Sequence, residues 1–107
     1  PIYNVSKAAV IAMTKTLAMA HAADGVRVNA VCPGVIETPM QDVVDAEFAR
    51  VTGRSPEAIR AERVGRIPMG AIGEAADVAA VVSFLLGPGA RYMTGQAVNV
   101  DGGLVMY

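Results

Sequence analysis

The sequence predicts an α/β domain, with helices layered on a parallel β-sheet. Helical and extended patterns alternate in the order helix, strand, helices, strand, which is the rhythm of layered α/β domains. The first extended run, residues 26–32, is β-branched and mostly apolar, as a strand covered on both faces should be. Gly, Pro, Ser and Thr stand at the junctions where caps and turns belong.

Residues 5–23 carry Val10, Met13, Leu17 and Ala20 or His21 at helical spacing among many alanines, the residue with the best helix propensity. Asp24-Gly25 then stops the helix, and Val26 to Cys32 reads as a strand closed by Pro33-Gly34. Thr38-Pro39-Met40-Gln41 has a cap residue, Pro at the first helical position and Gln three residues past the cap. That is a capping-box arrangement, and it predicts a helix running through Val43, Val44, Glu47 and Phe48 to about Val51. Thr52-Gly53-Arg54 breaks the pattern before Ser55-Pro56-Glu57 opens a short helix to Arg63. Residues 40–66 form a helical excursion too long for a plain connection, and long connections of this kind are more often pocket walls or lids. Residues 74–86 carry Val78, Val81, Val82, Leu85 and Leu86 on a broad apolar face, ended by Gly87-Pro88-Gly89. Thr94-Gly95-Gln96 turns into a last strand, Ala97–Val100, stopped by Asp101-Gly102-Gly103.

Composition narrows the function classes. The chain has 107 residues, 53% of them hydrophobic and 18% charged, and a net charge of −1, which fits one globular domain. No basic run marks it for nucleic acid or anionic lipid. Val78 to Leu86 falls far short of the roughly 20 apolar residues a membrane-spanning helix needs, and no secretory leader opens the chain, so a cytoplasmic location is expected. Cys32 has no second Cys for a disulfide and no metal-ligand spacing, and it reads as a small residue inside a strand. No metal site is expected: Asp101 lacks a second carboxylate at ligand spacing and reads as a strand end. Asn29 reads as a hydrogen-bonded structural amide, and His21 as a helix-end residue favouring the dipole.

Tyr3 and Lys7 stand four apart on the first helix and so share a face. A phenol has a pKa near 10. An adjacent ammonium stabilises the phenolate and lowers that value, which suits Tyr to general acid/base work. Alone, a Tyr-x-x-x-Lys spacing recurs by chance and carries little.

The wider pattern is more specific. Tyr3-Asn4-Val5-Ser6-Lys7-Ala8-Ala9, Gly25-Val26-Arg27-Val28-Asn29-Ala30-Val31-Cys32-Pro33-Gly34 and Thr94-Gly95-Gln96 through Asp101-Gly102-Gly103 resemble, in order and spacing, the short-chain dehydrogenase/reductase family. The resemblance runs end to end and implies the C-terminal half of a Rossmann-type doubly wound parallel sheet, one NAD(P)-binding domain whose N-terminal half is absent. Two strands are too few for such a sheet, and its missing partners are expected upstream or in another chain. In the family order the glycine-rich loop, the cofactor-selecting residue, a helix Asn and the catalytic Ser all precede Pro1. Ala20 stands where many members carry Glu, and Ala71 where Arg is frequent, which puts particular surface or subunit contacts in doubt.

By that resemblance Tyr3 exchanges a proton with the substrate, Lys7 lowers the Tyr3 pKa and holds the nicotinamide ribose, and NAD or NADP carries the hydride. Pro33, Gly34, Val35, Ile36 and Thr38 are implied as the cofactor loop. Ile36 would offer backbone groups to the carboxamide, Thr38 its hydroxyl, and Gly34 a bare backbone that a ring can approach. Thr38 could equally be a plain N-cap. Met40, Val43 and Val44 are the expected substrate-pocket residues. The implied reaction interconverts a secondary alcohol and a ketone. A polyol or diol is the preferred substrate, since residues 40–66 look somewhat like polyol and diol dehydrogenases, and 3-oxoacyl-carrier-protein reduction is the alternative. A different class of reading makes the chain a non-catalytic oligomerisation module. Either way a homo-oligomer, dimer or tetramer, is expected.

Overall fold

The computed structural model describes residues 2–106, the side chain of Tyr3 excepted. Helix α1 spans Ile2–His21, strand β1 Ala30–Pro33, helix α2 Pro39–Thr52, helix α3 Pro56–Gly65, helix α4 Ala75–Leu86 and strand β2 Ala97–Val100. β1 and β2 form a two-stranded sheet. The chain divides into two compact units, Pro1–Cys32 with Ala79–Asn99, and Pro33–Val78 with Val100–Tyr107.

In the first unit α1 ends where the sequence predicts. Gly25 takes φ 78°, the left-handed conformation that a side chain resists, and donates its N–H to the Ala22 carbonyl. The Val26 N–H reaches back to the His21 carbonyl, so the two bonds together make a Schellman cap. His21 lies 3.3 Å from the Asp24 carboxylate, a local pair at the helix end. Ala18, Leu85 and Ala90 supply the buried apolar contacts, and the buried Thr14 hydroxyl satisfies itself on the Val10 carbonyl at 2.8 Å.

The predicted strand over 26–32 starts later than its β-branched pattern suggests. The Val28 N–H takes the Thr94 hydroxyl at 3.1 Å in place of a ladder partner. Asn29 clamps the opposite segment at two points: its Nδ2 donates to the Met93 carbonyl and its Oδ1 accepts the Gln96 N–H, both at 3.1 Å. Before Ala30, where the regular strand begins, these side-chain bonds join the backbone bond from Gly95 to Val28 in holding the two segments together. The structural role expected of Asn29 holds. Gly95 donates to Val28 and Ala30 donates to Gln96; partner numbers rise together along both segments, as parallel pairing requires.

The second unit holds α2 and α3, each capped as the sequence predicts. The Thr38 hydroxyl accepts the Gln41 N–H at 3.3 Å and the Ser55 hydroxyl accepts the Ala58 N–H at 3.1 Å, with Pro following each cap. Only half of the expected capping box forms. The Gln41 side chain turns forward to the Asp45 carboxylate at 3.2 Å rather than back to the Thr38 backbone, because a charged acceptor one turn ahead is the stronger partner. α2 closes at Gly53, whose N–H bonds the Ala49 carbonyl. At the strand end Asp101 accepts the Gly103 N–H at 3.0 Å and the Val105 N–H at 3.1 Å, which makes it the predicted strand terminator.

Candidate active site

Tyr3 and Lys7 occupy α1 one turn apart, so the helix backbone holds them on one face. The Tyr3 side chain lies outside the described residues, and Lys7 is exposed. Both belong to the first unit.

The second unit brings the loop residues together. Pro33, at the end of β1, is exposed, while Gly34, Val35, Ile36 and Thr38 are half-buried. Gly34 donates to the Val100 carbonyl at 3.0 Å. A Cβ built on Gly34 would lie 2.5 Å from the Asp101 Cβ and 2.8 Å from its Cα. The bare backbone at Gly34 therefore has a packing reason of its own, besides any approach of a ring. Ile36 forms an isolated parallel bridge with Gly73. The Gly73 N–H donates to Val35 at 3.0 Å and the Glu37 N–H donates to Gly73 at 2.8 Å. Because peptide groups alternate along extended backbone, this bridge turns the N–H and C=O of Ile36 itself to the opposite side. A donor and an acceptor on one residue are the complement of a primary carboxamide. Thr38 keeps its hydroxyl hydrogen for a second partner while its oxygen caps α2.

The same unit encloses a cavity of about 290 Å³ lined by Val35, Ile36, Ile72, Gly73, Val100 and Asp101 among others. Met40 and Val43 are 76% and 69% exposed and Val44 is half-buried, and none of the three lines this cavity. Contact with the cavity comes instead from segments distant in sequence, 69–73 and 100–102, which local periodicity does not connect to the loop.

Charge organises residues 37–66. Glu37 receives a two-pronged bond from the Arg60 guanidinium, at 2.9 and 2.5 Å. Asp45, 5% exposed, is held by Arg63 and by the Gln41 amide. Glu62 takes Arg54 at 2.5 Å and Arg66 at 3.0 Å, and Glu47 takes Arg50 at 2.5 Å. Hydrogen bonding from Arg60, Arg50 and Arg54 respectively holds the Glu37, Glu47 and Glu62 carboxyls below their ordinary values. Local pattern does not pair Glu37 with Arg60, although the position of Glu37 between Ile36 and Thr38 and the spacing of Arg60 and Arg63 are visible in the sequence. Among the described residues no His, Cys, Asp and Glu cluster suits a metal ion, and Cys32 is a free, half-buried thiol. No helix of the described residues is long and apolar enough to cross a membrane.

Over residues 1–105 the chain matches the family described as Enoyl-(Acyl carrier protein) reductase. It is 45% identical over 104 residues to the 3-oxoacyl-[acyl-carrier-protein] reductase FabG of Thermotoga maritima, covering 97% of this chain and 38% of that protein. Among solved structures, a short chain dehydrogenase family protein from Francisella tularensis superposes with a TM-score of 0.91 at 33% identity, over 95% of this chain and 42% of the other. An actinorhodin polyketide ketoreductase crystallised with NADPH superposes with a TM-score of 0.90 at 41% identity, over 98% of this chain and 40% of the other. The chain belongs to the short-chain dehydrogenase/reductase family, and its α/β architecture is that of the family's Rossmann-type fold. It spans about two fifths of the length of the relatives it matches.

Proposed function

We propose that the protein carrying this chain is an NAD(P)-dependent oxidoreductase that interconverts a ketone and a secondary alcohol, with Tyr3 as its general acid/base. The observation that carries this reading is the placement of Tyr3 and Lys7 one turn apart on α1. The Lys7 ammonium favours the phenolate, so Tyr3 can give a proton to the carbonyl oxygen in one direction and take it from the hydroxyl in the other. Lys7 would also hold the nicotinamide ribose. Ile36 N–H and C=O would orient the carboxamide, and the Thr38 hydroxyl the same group or the pyrophosphate, with Pro33, Gly34 and Val35 shaping the loop. Bound NAD or NADP supplies or accepts the hydride.

Between the two substrate classes expected from the sequence, likeness to a 3-oxoacyl-carrier-protein reductase and to a polyketide ketoreductase favours reduction of a 3-oxoacyl thioester over a polyol or diol. Met40, Val43 and Val44 remain the residues for the substrate side. A dimer or tetramer is the proposed assembly, with the apolar residues Val10, Met13 and Leu17 of α1 as one surface for it.

Tyr3→Phe in the intact protein tests the chemistry. Turnover should fall by about 10² to 10⁴, the range of a lost general acid/base, with nucleotide binding retained. Turnover within about threefold of wild type would overturn the assignment and favour a non-catalytic, associative role. A 3-oxoacyl thioester and a polyol, each assayed with both nucleotides, separate the substrate classes. Faster turnover of the polyol would reverse the preference.

A further inference from the structure

The Glu37–Arg60 pair stands between two things the proposed function treats separately. Glu37 sits between Ile36 and Thr38, and its backbone is fixed by the 2.8 Å bond to Gly73. Its carboxylate meets the guanidinium of Arg60, on α3, through two parallel bonds. One turn further along α3, Arg63 grips the buried Asp45 of α2. Arg60 also feels the charges of Asp42 and Asp45, so α3 presents two arginines to acidic groups on the loop and on α2. Arg54 and Arg66 meanwhile pair with Glu62 on α3 itself. Nothing in helix formation requires the Glu37 contact: α2 and α3 are capped by their own Thr38 and Ser55.

We propose that Glu37 is a positioning residue which, through Arg60, ties the 36–38 stretch to α3, so that docking of the α2–α3 hairpin and affinity for the nicotinamide nucleotide rise and fall together. The inference rests on the loop's proposed cofactor role. Two-pronged guanidinium–carboxylate geometry supplies direction as well as attraction, which a single exposed ion pair does not. If the hairpin stabilises the nucleotide-holding form of the loop, nucleotide must stabilise the docked hairpin by the same factor.

The test uses the intact protein with Glu37→Gln, Arg60→Met, Arg60→Lys and the exchanged double variant Glu37→Arg/Arg60→Glu. NADH and NADPH are titrated by their own fluorescence, and trypsin cleavage after Arg54 and Arg66 is timed with and without nucleotide. Each single variant should raise the nucleotide Kd roughly three- to fivefold, the scale of one well-formed exposed pair, and remove nucleotide protection of the hairpin. Arg60→Lys, which keeps the charge but not the fork, should fall short of wild type, and the exchanged pair should recover most of the loss. Single variants that bind as wild type does, or an exchanged pair that recovers nothing, overturn the proposal while leaving the cofactor role standing. Failure of the wild-type protein to bind either nucleotide overturns both.

Discussion

Gly34 shows how a single residue can serve two masters. The position its side chain would take is filled by Asp101, whose carboxylate in turn holds Gly103 and Val105. Gly34→Ala must push Asp101 off that turn, and overpacking against backbone typically costs about 1–3 kcal/mol. Urea unfolding of the intact variant should register a loss of that size, and no change in the midpoint would show that the strand ends part easily. Residues whose roles depend on neighbours along the chain were legible: Gly25, Thr38, Ser55 and Asp101 all do what their local context foretold. The contact between Gly34 and Asp101 was not, because a packing clash between residues 67 positions apart leaves no mark on either segment's pattern.

At the scale of elements the α2–α3 hairpin is tied by charge rather than by apolar burial. Neither helix carries a buried apolar residue, while α2 buries Asp45. The Asp45 carboxylate needs both Arg63 and Gln41, and removing its charge leaves a partly buried guanidinium without its counterion. Asp45→Asn should cost about 1–3 kcal/mol, below the figure for a fully buried pair because Arg63 retains some solvent. Equilibrium unfolding would measure it, and faster proteolysis after Arg54 would localise it to the hairpin. The helices were readable in advance from Pro, Ser, Thr and Gly, yet their mutual fit was not. Gln41 illustrates why: by spacing it belonged to a capping box, and only the placement of Asp45 and Arg63 shows why it turns away.

Across the whole molecule the acid–base balance is uneven, with Glu37, Glu47 and Glu62 each depressed by an arginine. A carboxylate whose folded pKa lies below its unfolded value adds stability above the unfolded value, near 4.3, and loses it as pH falls through the folded one. The intact protein should therefore lose part of its stability below about pH 4, modestly, since all three groups face solvent. Melting curves between neutral and acid pH should steepen there, and the double variant Glu37→Gln/Glu62→Gln should flatten the slope. An unaltered slope would show that these pairs survive equally in the unfolded chain. The parallel order of the strands was foreseeable from the β-branched run and the intervening helices, whereas ahead of β1 the pairing is shared between the Gly95–Val28 backbone bond and two polar side chains, Asn29 and Thr94.

That long-range pairing bears on the order of events when the chain folds. Val28 and Thr94 meet across 66 residues, whereas Asp45 and Arg63 meet across 18. Closing the longer loop costs more entropy and has to await more of the chain, during refolding and on the ribosome alike. The charged hairpin can find its partners early; the parallel strands cannot. Asn29 and its neighbours therefore act late, as the stitch that fastens an already shaped segment into the sheet.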